Sequence, residues 1–294
     1  MTVAPEQRCW ICGATGLEIA KPGDLERALD SDAFAITDSH YGRTAEIHRC
    51  RACGFLQCSE LDAALAYYVE LEDPEYEEGR AQRMLQMERL LRRLPPPAAG
   101  ARLLDVGAGS GMLVEQALEK GYRAEGVEPS RWLQARAVEA GLAVELGTLP
   151  NPRLAGPYDV VTCIDVIEHV SDPAGVLRRI REVLAPNGIL AIVTPDVRSW
   201  AARLMGWRWW HFRVAHIGYF DPGTLRRLLD GCGFELVELH RPGWYFSADY
   251  LVERVGRYLP DWIRLPNPAW LSSITVPLNL RDSLLALARP KREV

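Results

Sequence analysis

The 294-residue sequence has no apolar run long enough to cross a membrane, and its opening stretch, MTVAPEQRCW, lacks a basic start followed by an apolar core. The expectation is a cytoplasmic protein without a transmembrane segment. Positive charge is not in excess either. With 34 Lys and Arg against 39 Asp and Glu, the formal net charge of -5 counts against a surface devoted to nucleic-acid backbone, although a local basic patch is still allowed. Internal repeats and low-complexity tracts are missing. The composition, 48% hydrophobic and 25% charged, is that of a globular chain long enough for one α/β domain and a small appendage.

Seven cysteines without an export signal point to thiols or metal rather than disulfides. Four of them form two C-x-x-C knuckles, Cys9 with Cys12 and Cys50 with Cys53. Thiolates spaced in this way can reach one tetrahedral ion, and the two knuckles together fill four positions, which predicts structural zinc. The 37 residues between them are rich in Gly, Asp, Ser and Thr and too polar to build a core, so metal closure is expected to hold a small zinc-ribbon-like domain over residues 1–60. His40, His48 and Cys58 are read as bystanders.

Leu103 to Gly111, LLDVGAGSG, is an apolar run ending in an acid and a glycine-rich turn, and a helical pattern follows from Met112. That order, strand then loop then helix, lets backbone N–H groups at a helix N-terminus close around a ligand. A dinucleotide site would need G-x-G-x-x-G, but the sixth position from Gly107 is Met112, and the glycines run G-x-G-x-G at 107, 109 and 111. The next strand, Tyr122 to Glu128, ends in an acid whose carboxylate can accept bonds from both hydroxyls of a ribose.

The remaining chain alternates strands and helices. Residues 61–100 read as a helical connector stopped by Pro95-Pro96-Pro97, with Tyr67, Tyr68 and Tyr76 on an acidic, solvated face. Strands are expected near Leu142 to Leu146, Tyr158 to Ile164 and Ile189 to Thr194, and helices begin after Asp172-Pro173 and Asp221-Pro222. Phe234 to Leu239 and Ser283 to Ala288 complete the strand candidates. The implied architecture is a doubly wound, Rossmann-like, mostly parallel sheet over residues 101–294, with aromatic insertions at 197–220 and 243–282.

The loop with Asp105, the acid Glu128, the segment CIDVIEHVSDP after the fourth strand, TPD after the fifth and HIGYF at His216 to Phe220 together resemble the class I S-adenosylmethionine (SAM) methyltransferases. Within that family they are most similar to ubiquinone-type O-methyltransferases and to relatives from polysaccharide and natural-product pathways. The resemblance covers residues 100 to 240. It implies a seven-stranded α/β sheet and SAM as cofactor, held by Asp105, Gly107, Gly109, Gly111, Met112, Glu128, Pro129, Thr148, Leu149 and Asp165, with Tyr76 lying over it.

Methyl transfer from a sulfonium needs mainly in-line positioning, with a base added where a hydroxyl must lose its proton. His169 is the expected base. A sharper scheme comes from a likeness to the small-RNA 2′-O-methyltransferase family, in which Asp165, Glu168, His169 and His216 would share a second divalent metal. Trp200, Trp207, Trp209 and Trp210, interleaved with Arg203, Arg208, His211 and Arg213, suit an acceptor cleft. Trp244, Tyr245, Phe246, Trp262 and Trp270 extend an apolar surface for a lipid-linked acceptor, a membrane surface or a second subunit.

The reading these residues support is O-methylation of a small molecule, sugar or lipid-linked glycan. Sugar carbon methylation remains open, because such enzymes also carry a cysteine-rich N-terminal domain, as does RNA methylation with the zinc knuckles on the nucleic acid. A module that binds SAM or its product S-adenosylhomocysteine (SAH) without turnover is the reading from another class. The oligomeric state is not encoded in any pattern found.

Overall fold

The computed structural model describes residues 7–25, 41–58, 64–260 and 262–292. Residues 61–63 of the expected connector and His40 lie outside them. Near the N-terminus β1 (Leu17–Lys21) pairs antiparallel with β2 (Ile47–Cys50), and β2 with β3 (Leu56–Gln57). The expected single connector is three short helices, α1 (Ala64–Val69), α2 (Pro74–Glu78) and α3 (Arg80–Leu91). Asp73 caps α2 by accepting from the N–H of Tyr76, and Gly79 separates α2 from α3. These breaks let the segment wrap over the next loop instead of running straight.

The alternating body follows: β4 (Arg102–Val106), α4 (Met112–Glu119), β5 (Arg123–Glu128), α5 (Arg131–Glu139), β6 (Val144–Leu146), β7 (Tyr158–Ile164), α6 (Pro173–Val183) and β8 (Leu184–Pro195). Then come α7 (Trp200–Met205), β9 (Gly218–Tyr219), α8 (Pro222–Gly231), β10 (Phe234–His240), β11 (Trp244–Ser247), α9 (Ala248–Gly256), β12 (Thr275–Leu278) and β13 (Ser283–Pro290). Asp172 caps α6, and Asp221 with Thr224 forms a capping box on α8, as the Asp-Pro pairs imply. β8 starts at Leu184, directly at the end of α6 and ahead of the expected Ile189, so Gly188 sits inside the strand.

The sheet order is β10-β13-β8-β7-β4-β5-β6, with β13 antiparallel to both neighbours and the central pairs parallel. Alternate strand residues face opposite layers. Leu104, Val161, Leu190 and Ile192 pack on Leu177 and Ile180 of α6 and Leu225 and Leu228 of α8, whereas Leu103, Val160, Ala191 and Val193 pack on α3, α4 and α5. The parallel strands therefore end along one common edge, which is where such sheets bind ligands.

The two insertions are structured. β11 and β12 form a small antiparallel sheet carrying α9, and β9 from the first insertion pairs with β3, completing a four-stranded sheet β1-β2-β3-β9. The cysteine-bearing segment thus shares a sheet with residues 218–219. Among the described residues no helix is long and apolar enough to cross a membrane.

Candidate functional site

A cavity of about 1090 Å³ opens at the carboxyl edge of the parallel strands. Asp105, next to last in β4, lines it while only 3% exposed, and the hydroxyl of Thr162 donates to its Oδ1 at 2.6 Å. Burial raises the carboxyl to about 7, against the Thr162 bond that lowers it, and the neighbouring Glu128 adds to the rise. Glu128 at the tip of β5 accepts from the Gly109 N–H through one oxygen and from the Ser130 N–H through the other, both at 2.8 Å. Burial lifts Glu128 to about 7 despite those two bonds.

The loop between β4 and α4 is shaped by what its glycines leave out. At Gly109, with φ +55°, a Cβ would stand 2.9 Å from the Tyr76 hydroxyl. Tyr76 therefore lies against the loop, with the Arg83 guanidinium 4.2 Å from its ring centroid, and Arg80 bonds Glu115 across α4. Gly111, at φ +82°, does not line the cavity. A Cβ there would stand 2.6 Å from the Leu142 side chain, so its missing Cβ leaves room for packing.

Of the residues expected around the cofactor, Tyr76, Asp105, Gly107, Gly109, Met112, Glu128, Pro129, Thr148, Leu149 and Asp165 all line the cavity. Arg83 lines it as well, and no sequence pattern singled it out.

The far side of the cavity is a cluster of titratable side chains. Glu168, His169 and His216 bring ligand-capable atoms within 4.8 Å of one another, and the two imidazole centroids are 4.7 Å apart. Asp165, expected as a fourth member, falls outside this group. It lines the same cavity in a left-handed backbone conformation (φ 51°), with its carboxyl raised to about 7 by burial, against the lowering effect of Arg83.

Glu168 Oε2 accepts from the Thr194 hydroxyl at 2.9 Å, while Oε1 is buried with no hydrogen-bond partner. Burial, with Asp165 next, pushes Glu168 well above the usual carboxylate range.

His169 is oriented from behind. Its Nδ1 lies 2.7 Å from the Ala215 carbonyl and also meets the Tyr68 hydroxyl, which itself donates to Ala215 O at 3.2 Å. A carbonyl only accepts, so this pattern assigns the proton to Nδ1 and leaves the ring's lone pair on Nε2. Burial, followed by the Arg213 charge, holds His169 down to about 3 and His216 well below its ordinary value. Both rings are neutral at pH 7. Tyr68, read from sequence as part of a solvated face, is instead the residue that orients His169.

Of the expected aromatic cleft, only part faces the cavity. Trp210, His211 and Arg213 line it, with Trp210 donating to Asp282 Oδ2 at 3.0 Å. Trp209 is fully buried in the core beside Phe212, and Trp200 is 80% exposed. Trp244, Tyr245 and Phe246 also line the cavity, together with Tyr41, Tyr250, Arg254 and Tyr258, but Trp262 (81% exposed) and Trp270 (63%) point outward.

The four knuckle cysteines converge. All four sulfurs lie within 4.8 Å of one another, with Cys9 to Cys53 at 3.5 Å and Cys12 to Cys50 at 3.6 Å. Four thiolates around a tetrahedral zinc at ~2.3 Å stand about 3.8 Å apart, so the donor set and its spacing fit that ion. His48 pairs with Glu46 at 3.1 Å and is not among the converging ligands.

Residues 76–239 match the family model described as a methyltransferase domain. A ubiquinone biosynthesis O-methyltransferase of Azorhizobium caulinodans is 34% identical over 174 residues, 52% of this chain and 69% of its own length. One from Ralstonia nicotianae is 38% identical over 100 residues, which is 31% of this chain and 42% of its own length, so the chain spans less than half of that relative. Among solved structures, a chain from the complex between the Haloferax volcanii Trm112 methyltransferase activator and a putative methyltransferase shares the fold with TM-score 0.54. Its sequence identity is 17%, with 79% of this chain and 98% of that chain covered.

Proposed function

The chain belongs to the methyltransferase-domain family and is a SAM-dependent methyltransferase, and from that premise we propose that it methylates a hydroxyl oxygen of a small apolar or ring-bearing acceptor. The observation that carries this reading is one cavity with a nucleoside-suited end, Asp105, Gly109 and Glu128, and a proton-handling end, Glu168, His169 and His216. The acceptor lobe is walled by Tyr41, Trp210, Phe246, Tyr250 and Tyr258, which favours stacking on a ring or packing on a hydrocarbon chain. The relatives' name, ubiquinone biosynthesis O-methyltransferase, accords with such an acceptor.

SAM, when bound, supplies an activated methyl group on a sulfonium. Asp105 and the Gly109 loop would hold its amino-acid and ribose portions, Glu128 would accept from the ribose hydroxyls, and Arg83 would face its carboxylate. Tyr76, packed against the loop, would exclude water from that end. His169, with its proton fixed on Nδ1, presents Nε2 as an acceptor for the substrate proton.

A second reading of the same cluster is favoured by the orphaned Glu168 Oε1. A carboxylate oxygen buried without a partner, beside two neutral imidazoles, is a donor set for a divalent cation, and an imidazole held near 3 is a weak base alone. A cation there would lower the pKa of an acceptor hydroxyl. We likewise read the four-cysteine cluster as a structural zinc site, all of whose positions are filled by protein.

The test is SAH release from SAM with a panel of hydroxylated aromatic and sugar acceptors, run on the wild type and on His169→Ala and His216→Ala. Base catalysis by His169 alone predicts a ~10² to 10⁴ loss in His169→Ala and little loss in His216→Ala. A shared cation predicts comparable losses in both, and chelated enzyme recovers with Mg²⁺ or Mn²⁺. Full turnover in both variants would reject both schemes and leave positioning alone.

A further inference from the structure

The second cysteine knuckle is the turn of a hairpin. Cys50 ends β2, its N–H donates to Phe55 O at 2.9 Å, and the Gly54 N–H returns to Cys50 O at 2.8 Å. The strand that leaves this turn, β3, has its other edge on β9, with Leu56 opposite Tyr219 and Gln57 opposite Gly218. The ladder continues one step further, because the Cys58 N–H donates to Ile217 O at 2.8 Å.

Ile217 then donates its own N–H to Glu168 O, also at 2.8 Å. Both backbone groups of Ile217 are therefore committed, one to the cysteine hairpin and one to the 3-10 turn Ile167–His169. The residue before it is His216.

The first knuckle is tied into the same strand. Trp10, between Cys9 and Cys12, donates its N–H to Gln57 Oε1 at 2.9 Å, and Gln57 Nε2 donates to Arg8 O at 3.0 Å. The Phe55 ring bridges the two halves, 6.4 Å from Trp10 and 5.0 Å from Phe220. A second attachment reaches the cavity wall: the Gly42 N–H donates to Phe212 O at 2.6 Å, and Tyr41 stacks on Tyr258 with centroids 5.9 Å apart. The cofactor end has different supports. Asp105 is held by Thr162, Glu128 by Gly109 and Ser130, and the Gly107 and Ala108 N–H groups by Val127 O.

We propose that the four-cysteine hairpin is a template for the acceptor end of the cavity. Metal at Cys9, Cys12, Cys50 and Cys53 fixes β3, β3 fixes β9, and β9 holds His216 against Glu168 and His169, while the cofactor end stands without it. This rests on the zinc reading above and assigns that metal a functional target, the position of His216. A merely stabilising metal would support all parts of the fold alike. A templating metal acts on one end.

The experiment is hydrogen exchange on the full chain, as purified and after mild chelation, with zinc per chain and SAH affinity measured on the same samples. Zinc loss should speed exchange in residues 50–58 and 214–221 by ~10-fold or more, because their shared ladder loses its anchor. Residues 103–115 should keep their protection, and SAH affinity should stay within about threefold.

A second variant separates the ladder from the metal. Gly218→Val places a branched side chain where an added Cβ alone would stand 3.3 Å from the Phe55 ring. It should keep its zinc and its SAH affinity and still expose residues 214–221. Unchanged protection of 214–221 after zinc loss would overturn the proposal, and so would equal loss of protection in 103–115. Protein purified without chelator that carries no zinc would remove the premise itself, an outcome the zinc measurement distinguishes from the other two.

Discussion

Removing the Glu128 carboxylate is the most direct perturbation of the cofactor end. Each of its oxygens already takes one backbone N–H, from Gly109 and Ser130, at 2.8 Å. A carboxylate oxygen has two lone-pair sites, so one on each oxygen remains, matching the two hydroxyls of a ribose. Two charge-assisted bonds at about 1.5 to 3 kcal/mol each give about 3 to 6 kcal/mol, a ~10² to 10⁴ weakening of SAH in Glu128→Ala. The figure is slightly reduced at pH 7, because Glu128 near 7 is partly protonated in the free protein and must ionise first. Calorimetry with SAH near pH 8 avoids that correction. Glu128→Gln is the companion variant: it keeps the volume but turns an NH₂ toward one of the two N–H donors, so it should also disturb the loop. An SAH affinity within threefold of wild type in Glu128→Ala would refute the assignment.

Two further outcomes are expected at the same end. Because burial holds both Asp105 and Glu128 near 7, binding that needs them ionised should strengthen as pH rises through about 7 and release protons below it, seen by SAH calorimetry in buffers of different ionisation enthalpy; a flat profile from about pH 5.5 to 8.5 would contradict it. Gly109→Ala should weaken SAH by about tenfold, since its φ of +55° costs a side chain ~1 to 2 kcal/mol and its Cβ would meet the Tyr76 hydroxyl at 2.9 Å; unchanged calorimetric affinity would count against the placement of Tyr76.

Local signals carried most of the fold. Asp-Pro caps, the G-x-G-x-G turn and apolar runs of strand length are short-range patterns, and the helices and strands they imply are present. What could not be read depends on contacts between distant residues. Tyr68 and His169 are 101 positions apart, and nothing in an acidic, tyrosine-containing helix indicates that one hydroxyl orients an imidazole. The β3–β9 pair was equally hidden, since two-residue strands have no period to detect. In the Trp-rich stretch the residue types fit a core and a cleft alike. Only packing separates buried Trp209 from cavity-lining Trp210 and outward Trp200. The glycine run pointed to a ligand loop, yet the space beside Gly111 is taken by Leu142, because the same missing Cβ suits a ligand or a packed side chain.

The electrostatics of the cavity are consistent with a cationic ligand at one end and a cation or a proton at the other. Asp105, Glu128, Asp165 and Glu168 all have their ionised forms disfavoured, with burial as the largest cause in each case. Four such carboxyls along one cavity are costly to ionise without compensation. SAM carries a sulfonium and an ammonium, and its arrival near Asp105 and Glu128 would supply positive charge where two of them sit. The cluster at Glu168 receives no such charge from the neutral imidazoles, and Arg213 is the cation that acts on it from within the cavity. Arg213 also lowers both histidines, so it cannot favour the Glu168 carboxylate without weakening His169 as a base. A divalent ion held there would escape this conflict, because it would stabilise the carboxylate while taking the imidazoles as neutral donors. That asymmetry is the physical reason to treat the metal-assisted scheme as the leading competitor to base catalysis at the acceptor end.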